Sequence, residues 1–596
     1  MHRCLLSEPG ETGIAVLTSR KLVGLTMKSH QRKERLSIYL IKDAKLLDEQ
    51  LIKIEHTKTP IKISINSSEA TLHVKDSRPK IPDWVSFLFS DQDAPDNYFL
   101  GNRSEGAVLI IRIADAAFAL SFGMGYHLID LELVERDFGL RVTLNSVDPE
   151  KLRSLDKASY EANPLNTRSQ SPKDADIFDL RIDTENDMVY ALTGASSEPL
   201  FGDHVTGRDA LTIMPEAILT DLPKILGEAL NRYNQKSPER FAWVDDVNRV
   251  RDTNDIELLD LLLNDLLAAN SPGTNIWLGE PEIVDWEAQT GYSFDKRERT
   301  SIHPTLQLEQ LLDYMARKNI TPTSESFHAQ HIYVNDTNYH PIKHWSAYRC
   351  LYAEISDKGK IYILRNGVWH VVRDDFVDRV NRELKDVEID TITMPTYAHD
   401  DEGQYNISCA QPNSGYELLD RQNIFVGGPY DKIEFCDLIR DGHDLIHVKV
   451  YRSSATLSHL FAQGSVSAET FIKHRDFRIK LNSTLPTSIK LRDASEIPNA
   501  NNYRIIYAIA TTKNLPGDLP FFSKVSLKNA ILNLRALGFR VALSKIAIDS
   551  DFLKTRKQKP MGKAAATRKQ AAQPAAHATP TSRAPLVLGA SESPSA

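Results

Sequence analysis

A chain of 596 residues, at roughly 150 residues per domain, predicts three or four compact units. Its 41% apolar and 26% charged content is an ordinary globular balance, and no run approaches the ~18 apolar residues of a membrane span. The net charge of −8 is uneven: from Leu553 onward eight Lys or Arg face one Glu, a balance of +7 that leaves −15 to the rest, so global charge gives no argument for a nucleic-acid partner.

The first residues hold no apolar stretch of signal-peptide length, and Glu8, Pro9, Gly10 and Glu11 stand where one would lie. A cytoplasmic protein with no membrane partner is expected. Cys4, Cys350, Cys409 and Cys436 form no C-x-x-C pair and read as free thiols. Residues 1–26 read as a flexible leader, and a start at Met27 fits the same pattern.

The expected class is a multidomain α+β or α/β protein. A mixed α/β domain is expected over 27–300. Ile61–Ile65 alternates with period two, and 107–113 with 117–122 reads as a hairpin. Leu128 to Phe138 has helical spacing, and Leu140 to Leu144 reads as a strand. Pro215 to Tyr233 and Ile256 to Leu267 read as amphipathic helices. Residues 301–404 predict a β-meander with helices: a helix over Leu306–Lys318, strands over 347–355, 360–364 and 368–372, and a helix over 374–384. Asn366-Gly367 predicts a type I′ turn, because both residues must take positive φ. Residues 405–552 predict a further α/β unit. Residues 553–596 lack the apolar density to offset ordering entropy and read as a disordered basic tail.

Several chemistries lack their motifs. No G-x-x-x-x-G-K-[ST] loop, G-x-S-x-G elbow or H-E-x-x-H pair is present, and no nucleotide cofactor is indicated. Gly123-Met124-Gly125 lacks the third glycine of a dinucleotide fingerprint and reads as a tight turn, as do Gly202 and Gly427-Gly428. His328, His331, His340 and His344 lack a completing acid or cysteine and read as ordinary surface histidines.

The informative stretch runs from Tyr430 to Phe471. Two apolar strands flank Asp441-Gly442, with Glu434 and Asp437 on the first and His447 and Lys449 two apart on the second. A helix carrying Gln463 follows, then a strand over 503–509. A helix over Tyr416–Asp420 is expected before the hairpin. A carboxylate that holds a divalent cation and a lysine beside it are what phosphodiester cleavage requires. Asp437, Glu434 and His447 are therefore the candidate metal ligands, with Mg²⁺ or Mn²⁺ as the cofactor; Lys449, Gln463 and Glu417 complete the candidate catalytic set. A two- or four-residue loop places Glu434 opposite Lys449, whereas a three-residue loop, Asp441 to His443, places Asp437 opposite His447.

The order helix, strands, hairpin, helix, strand resembles the core of the PD-(D/E)xK nuclease superfamily, which implies DNA or RNA as partner. The departure is His447, where that superfamily carries Asp or Glu, and imidazole suits Mn²⁺ better than Mg²⁺. The stretches Phe122–Leu128, Asp137–Asn145, Ile433–Asp437, Leu445–Lys449 and Ser458–Gly464 also resemble a sporadically distributed bacterial family of unknown function, number 6119. Its patchy occurrence implies a mobile-element or anti-phage defence context. The rival reading is a non-catalytic nucleic-acid-binding or protein-interaction scaffold.

Overall fold

The computed structural model describes residues 33–552, except 67, 92, 94–97, 100, 102, 160–164, 270–274, 285–288, 297–301, 426–431 and 453. The expected leader and tail, the Gly427-Gly428 turn and Tyr430 lie outside the described residues. The architecture is mixed α and β, with several sheets. No helix among the described residues is long and apolar enough to cross a membrane.

The first layer is a ten-stranded antiparallel sheet. Its hairpin of Gly106–Ile113 and Ala116–Gly123 is the one expected over 107–113 and 117–122. One face of the sheet is covered by the helices Phe138–Leu144 and Leu222–Tyr233, whose Phe138, Val142, Ile225 and Leu226 pack on Ile38, Phe118 and Leu211. The other face buries Val108, Ile110 and Ala119 under Leu128, Ile129 and Val134.

The assignments around Gly139 are reversed. Residues 124–133 form two short 3₁₀ turns, and Phe138–Leu144, expected to end as a strand, is a helix. The reason is close packing. A Cβ on Gly139 would lie 2.0 Å from the Ala210 carbonyl oxygen, so the helix backbone rests directly on the sheet. Nearly every side chain of that short helix is then buried, and no polar face betrays a 3.6-residue period.

The middle layer is a five-stranded sheet built on Leu351–Asp357, Lys360–Arg365 and Val368–Val372, as the meander pattern predicts. Asn366 and Gly367 take φ of 49° and 72°, the two positive values of the expected turn. Residues 347–350, expected as strand, form a helical turn capped by the Ser346 hydroxyl. Both edges of this sheet come from before residue 300: Val247–Arg249 pairs with Val368–Val372, and Ile276–Leu278 with Leu351–Asp357. The expected division near 300 therefore falls inside one hydrophobic core, which runs from Val250 to Trp369. The division at 404 likewise lies within a sheet, because Glu388–Ile389 pairs with Arg540–Ile546. Edge strands of two or three residues carry too little alternation to be legible in sequence.

The C-terminal sheet has six strands. Glu388–Ile389, Arg540–Ile546, Arg504–Ala510 and Asp444–Val450 run parallel; Leu438–Arg440 and Tyr416–Leu418 complete it antiparallel. The helices Ser454–Lys473 and Phe521–Ala536 pack on one face through Leu457, Phe461, Phe471, Val525 and Leu534. The helix Glu402–Cys409 packs on the other through Tyr405 and Cys409. Glu354 of the middle sheet accepts the Phe521 and Phe522 amides at 2.6 and 3.2 Å, so a buried carboxylate caps a helix of the next layer.

Candidate functional site

The hairpin register follows from its loop. Arg440 pairs with Asp444, leaving Asp441, Gly442 and His443 as a three-residue connection, with φ of 53° at Asp441 and 75° at Gly442. A buried ion network holds this end: Arg440 binds Asp390 at 3.0 Å and Asp444 at 2.7 Å, and Arg504 binds Asp444 at 2.8 Å. Of the registers open to the sequence, this is that of the three-residue loop; its ladder ends at Leu438 opposite Ile446, and Asp437 stands just before the first strand.

At the other end of the hairpin Asp437 becomes the hub of a carboxylate cluster. Its carboxylate accepts the Val448 amide at 2.6 Å, taking the place of a backbone partner just beyond the ladder. Its carbonyl oxygen accepts the Leu419 and Asp420 amides, both at 2.9 Å, which brings the Asp420 turn alongside. Glu434, on the separate strand Lys432–Glu434, accepts the Arg421 amide. Oxygens of Asp420, Glu434 and Asp437 consequently lie within 4.8 Å of one another, the one group among the described residues with the spacing of a metal set.

The electrostatics follow from crowding like charges in a half-buried place. Burial, then Glu434 and Asp420, push the Asp437 carboxyl up to about 8, against the pull of the Val448 amide and Lys449. Burial and Asp420 raise Glu434 as well. Lys449 lies close enough to oppose both shifts, and its ammonium pairs with Glu402 at 3.8 Å. Glu402 in turn accepts the Val450 amide at 3.4 Å. A Cβ on Gly403, next in the helix, would stand 2.9 Å from the Arg421 guanidinium and 3.0 Å from the Asp420 carboxylate, so a side chain there would have to displace both.

Asp437, Glu434 and Lys449 thus meet, and both competing acids belong to one cluster. His447 is not in it. Its side chain is 3% exposed, its Nε2 has no hydrogen-bond partner, its ring lies 6.2 Å from that of Tyr507, and burial holds its pKa down to about 4. Glu417 lies on a strand, paired with Ile439, rather than on the expected helix over 416–420, and it is outside the cluster. The helix before the hairpin is Glu402–Cys409, and its acid is Glu402. Gln463 is half-buried on Ser454–Lys473, whose following residue Gly464 presses against the Tyr507 ring.

Asp420 and Glu402 were missed. Glu402 had a usable signal in Asp401-x-x-Gln404, a helix-start pattern realised as the Gln404 amide on the Asp401 carboxylate at 3.0 Å. Asp420 had none, since its place depends on two amides turning toward the carbonyl of a residue 17 positions later.

A family model described as a family of unknown function, DUF6119, matches residues 36–547. The chain belongs to that family. No curated protein and no solved structure matches the chain. Within this DUF6119 chain the match spans all three layers, and the cluster lies inside it.

Among the histidines read as ordinary, His328 stacks on Tyr348 at 3.8 Å and His331 meets His344 at 5.1 Å. Cys350, Cys409 and Cys436 are buried free thiols. Gly125 is packed against the Ala107 carbonyl, with no room for a Cβ.

Proposed function

We propose that the C-terminal unit binds nucleic acid and cleaves it as a metal-dependent phosphodiesterase, in a defence or mobile-element setting. The observation that carries the reading is the convergence of Asp420, Glu434 and Asp437 beside Lys449. Three mutually repelling carboxylates, one of them raised to about 8, form an all-oxygen donor set that suits a hard divalent cation. Mg²⁺ fits such a set as well as Mn²⁺, because the imidazole that favoured Mn²⁺ stands apart from it. A bound divalent cation supplies Lewis-acid polarisation of a phosphate and a lowered pKa for water.

The chain's own groups have distinct tasks. Asp437 is held by the Val448 amide and oriented for a ligand role. Lys449, tethered by Glu402, is poised to turn toward charge that grows on a phosphate in the transition state. Gln463 is the proposed contact to the nucleophile or the nucleic-acid backbone. The succession of helix Glu402–Cys409, strand, hairpin, long helix and parallel strand supports the nuclease-like reading.

The experiment is incubation of purified protein with single- and double-stranded DNA and RNA, with Mg²⁺ or Mn²⁺. Cleavage is expected with a metal and lost, by about a hundredfold or more, in Lys449→Ala. Cleavage that survives Lys449→Ala overturns the catalytic role. The one feature favouring a non-catalytic scaffold is the buried His447 where the superfamily has an acid. That reading is distinguished by nucleic-acid binding that neither needs a divalent cation nor leads to cleavage.

A further inference from the structure

A second site stands in the sheet layers, and it shares no residue with the carboxylate cluster. Between the ten-stranded sheet and the Asn366-Gly367 turn lies a cavity of about 110 Å³. Five arginines line it, Arg136, Arg208, Arg249, Arg349 and Arg365, against three carboxylates, Asp137, Asp209 and Glu282.

Carboxylates pair with three of the five arginines: Arg136 with Asp209 at 3.1 Å, Arg249 with Asp137 at 3.2 Å and with Glu135, and Arg208 with the buried Asp156. Glu282 is taken by Lys343 at 2.6 Å. Among the described residues Arg349 and Arg365 have no carboxylate partner. Arg349 donates through Nε and Nη2 to the Asn366 side-chain oxygen, at 3.2 and 3.1 Å. Arg136 donates to the same oxygen at 3.3 Å, so three cationic N–H groups crowd one neutral acceptor with two lone pairs. Arg365 meets only the Asn166 amide oxygen at 3.5 Å, the Met188 sulfur and the face of Tyr352.

Among the described residues, four buried polar atoms on the wall of this cavity have no hydrogen-bond partner: Arg136 Nη1, Arg249 Nε, Tyr190 Oη and His370 Nδ1. The Arg136 side chain is only 7% exposed. Arg136 Nη1, Arg249 Nε and Tyr190 Oη carry protons to donate, and buried donors left unmade are costly; His370 is held neutral by burial and bonds the Ile363 backbone, so its Nδ1 is an acceptor. Water could satisfy donors. It would not offset the charge of Arg349 and Arg365, which lack a carboxylate partner among the described residues; burial, and then Arg136, lower the Arg349 pKa against the pull of Asp209, Glu282 and Glu132. A tetrahedral oxyanion does both, and the planar guanidinium fork is matched to phosphate. The cavity shares Arg208, Asp209, Glu282 and Arg349 with a cleft of about 1420 Å³ whose walls include Tyr39, Tyr126 and Trp345.

We propose that the arginine cavity binds the phosphoryl group of a small phosphorylated ligand, whose remaining body lies in the adjoining cleft. The test uses the full chain in equilibrium dialysis with two probes, inorganic phosphate and adenosine 5′-monophosphate. Arg349→Gln and Arg365→Gln are suitable variants, because each removes a charge while keeping an amide donor for its neutral partner. Circular dichroism checks that they fold. Saturable binding is expected in the wild type, weakened about ten- to a hundredfold in each folded variant. Tighter binding of the nucleotide supports a body seated in the cleft. Equal affinity keeps the phosphoryl site and removes the cleft from the proposal. No saturable binding of either probe by wild-type protein at about 10 mM, or undiminished affinity in both arginine variants, overturns it.

Discussion

Replacing Asp437 by Asn tests the electrostatics of the cluster directly. Asn keeps an acceptor for the Val448 amide, now at 2.6 Å, and removes one of three crowded charges. A carboxyl raised from 3.8 to about 8 binds more protons folded than unfolded between those values. Stability in the absence of metal is then complete below about pH 4 and declines as pH rises, reaching a loss of roughly 5 kcal/mol by pH 8. Asp437→Asn is expected to recover most of that loss. Divalent metal should narrow that gap, because ligand at a hundredfold above its dissociation constant stabilises the wild type by about 2.7 kcal/mol and the variant by less. The assay is urea denaturation followed by tryptophan fluorescence from pH 5 to 9, with and without Mg²⁺ or Mn²⁺. The difference between wild type and variant isolates Asp437 from other titrating groups. If that difference is flat from pH 5 to 8, the Asp437 carboxyl is not raised by burial and by its neighbouring carboxylates as the geometry requires, and the metal argument falls with it.

Lys449→Ala should leave the fold intact while cleavage is lost, since its partly exposed ion pair with Glu402 is worth at most about 1 kcal/mol; a denaturation midpoint shifted far beyond that would make the lysine structural. Gly139→Ala should be among the most damaging changes to the N-terminal sheet, by about 3 kcal/mol or more, because a Cβ 2.0 Å from the Ala210 carbonyl oxygen forces backbone apart; normal thermal stability would contradict the packing. His447, held near 4 by burial, must charge when the chain unfolds in acid. It therefore contributes a loss of up to about 3 kcal/mol as pH falls from 6.5 toward 4, and His447→Leu should flatten that limb of the stability profile.

How much was legible depended on the range of the signal. The hairpin of 106–123, the Asn366-Gly367 turn and the helix Asp374–Lys385 announce themselves through paired apolar runs, paired positive φ and amphipathic spacing, each within a window of about 18 residues. Asp437 and Lys449 were legible as a chemical pair, as residue types with a loop between them. Helix Phe138–Leu144 was not, because full burial erases the polar face that marks a helical period. Nor were the three-residue edge strands that carry the core across residue 300.

The sequence by itself determined the mixed α/β character, the strong turns, the kinship carried by its short motifs, and which acids and lysine lie near the hairpin. Each of these is written in neighbouring residues and follows from local sterics or periodicity. Only the tertiary structure decided that Asp420 and Glu434 join Asp437 while His447 turns into the core beside Tyr507, and that five arginines from distant segments surround one cavity. Those outcomes depend on register and on like charges brought together by unrelated segments. A single residue's slip in the hairpin would exchange the faces of its side chains, and nothing local specifies the register: the three-residue loop is settled by the buried Arg440, Asp390, Asp444 and Arg504 network that forms only when four segments have met.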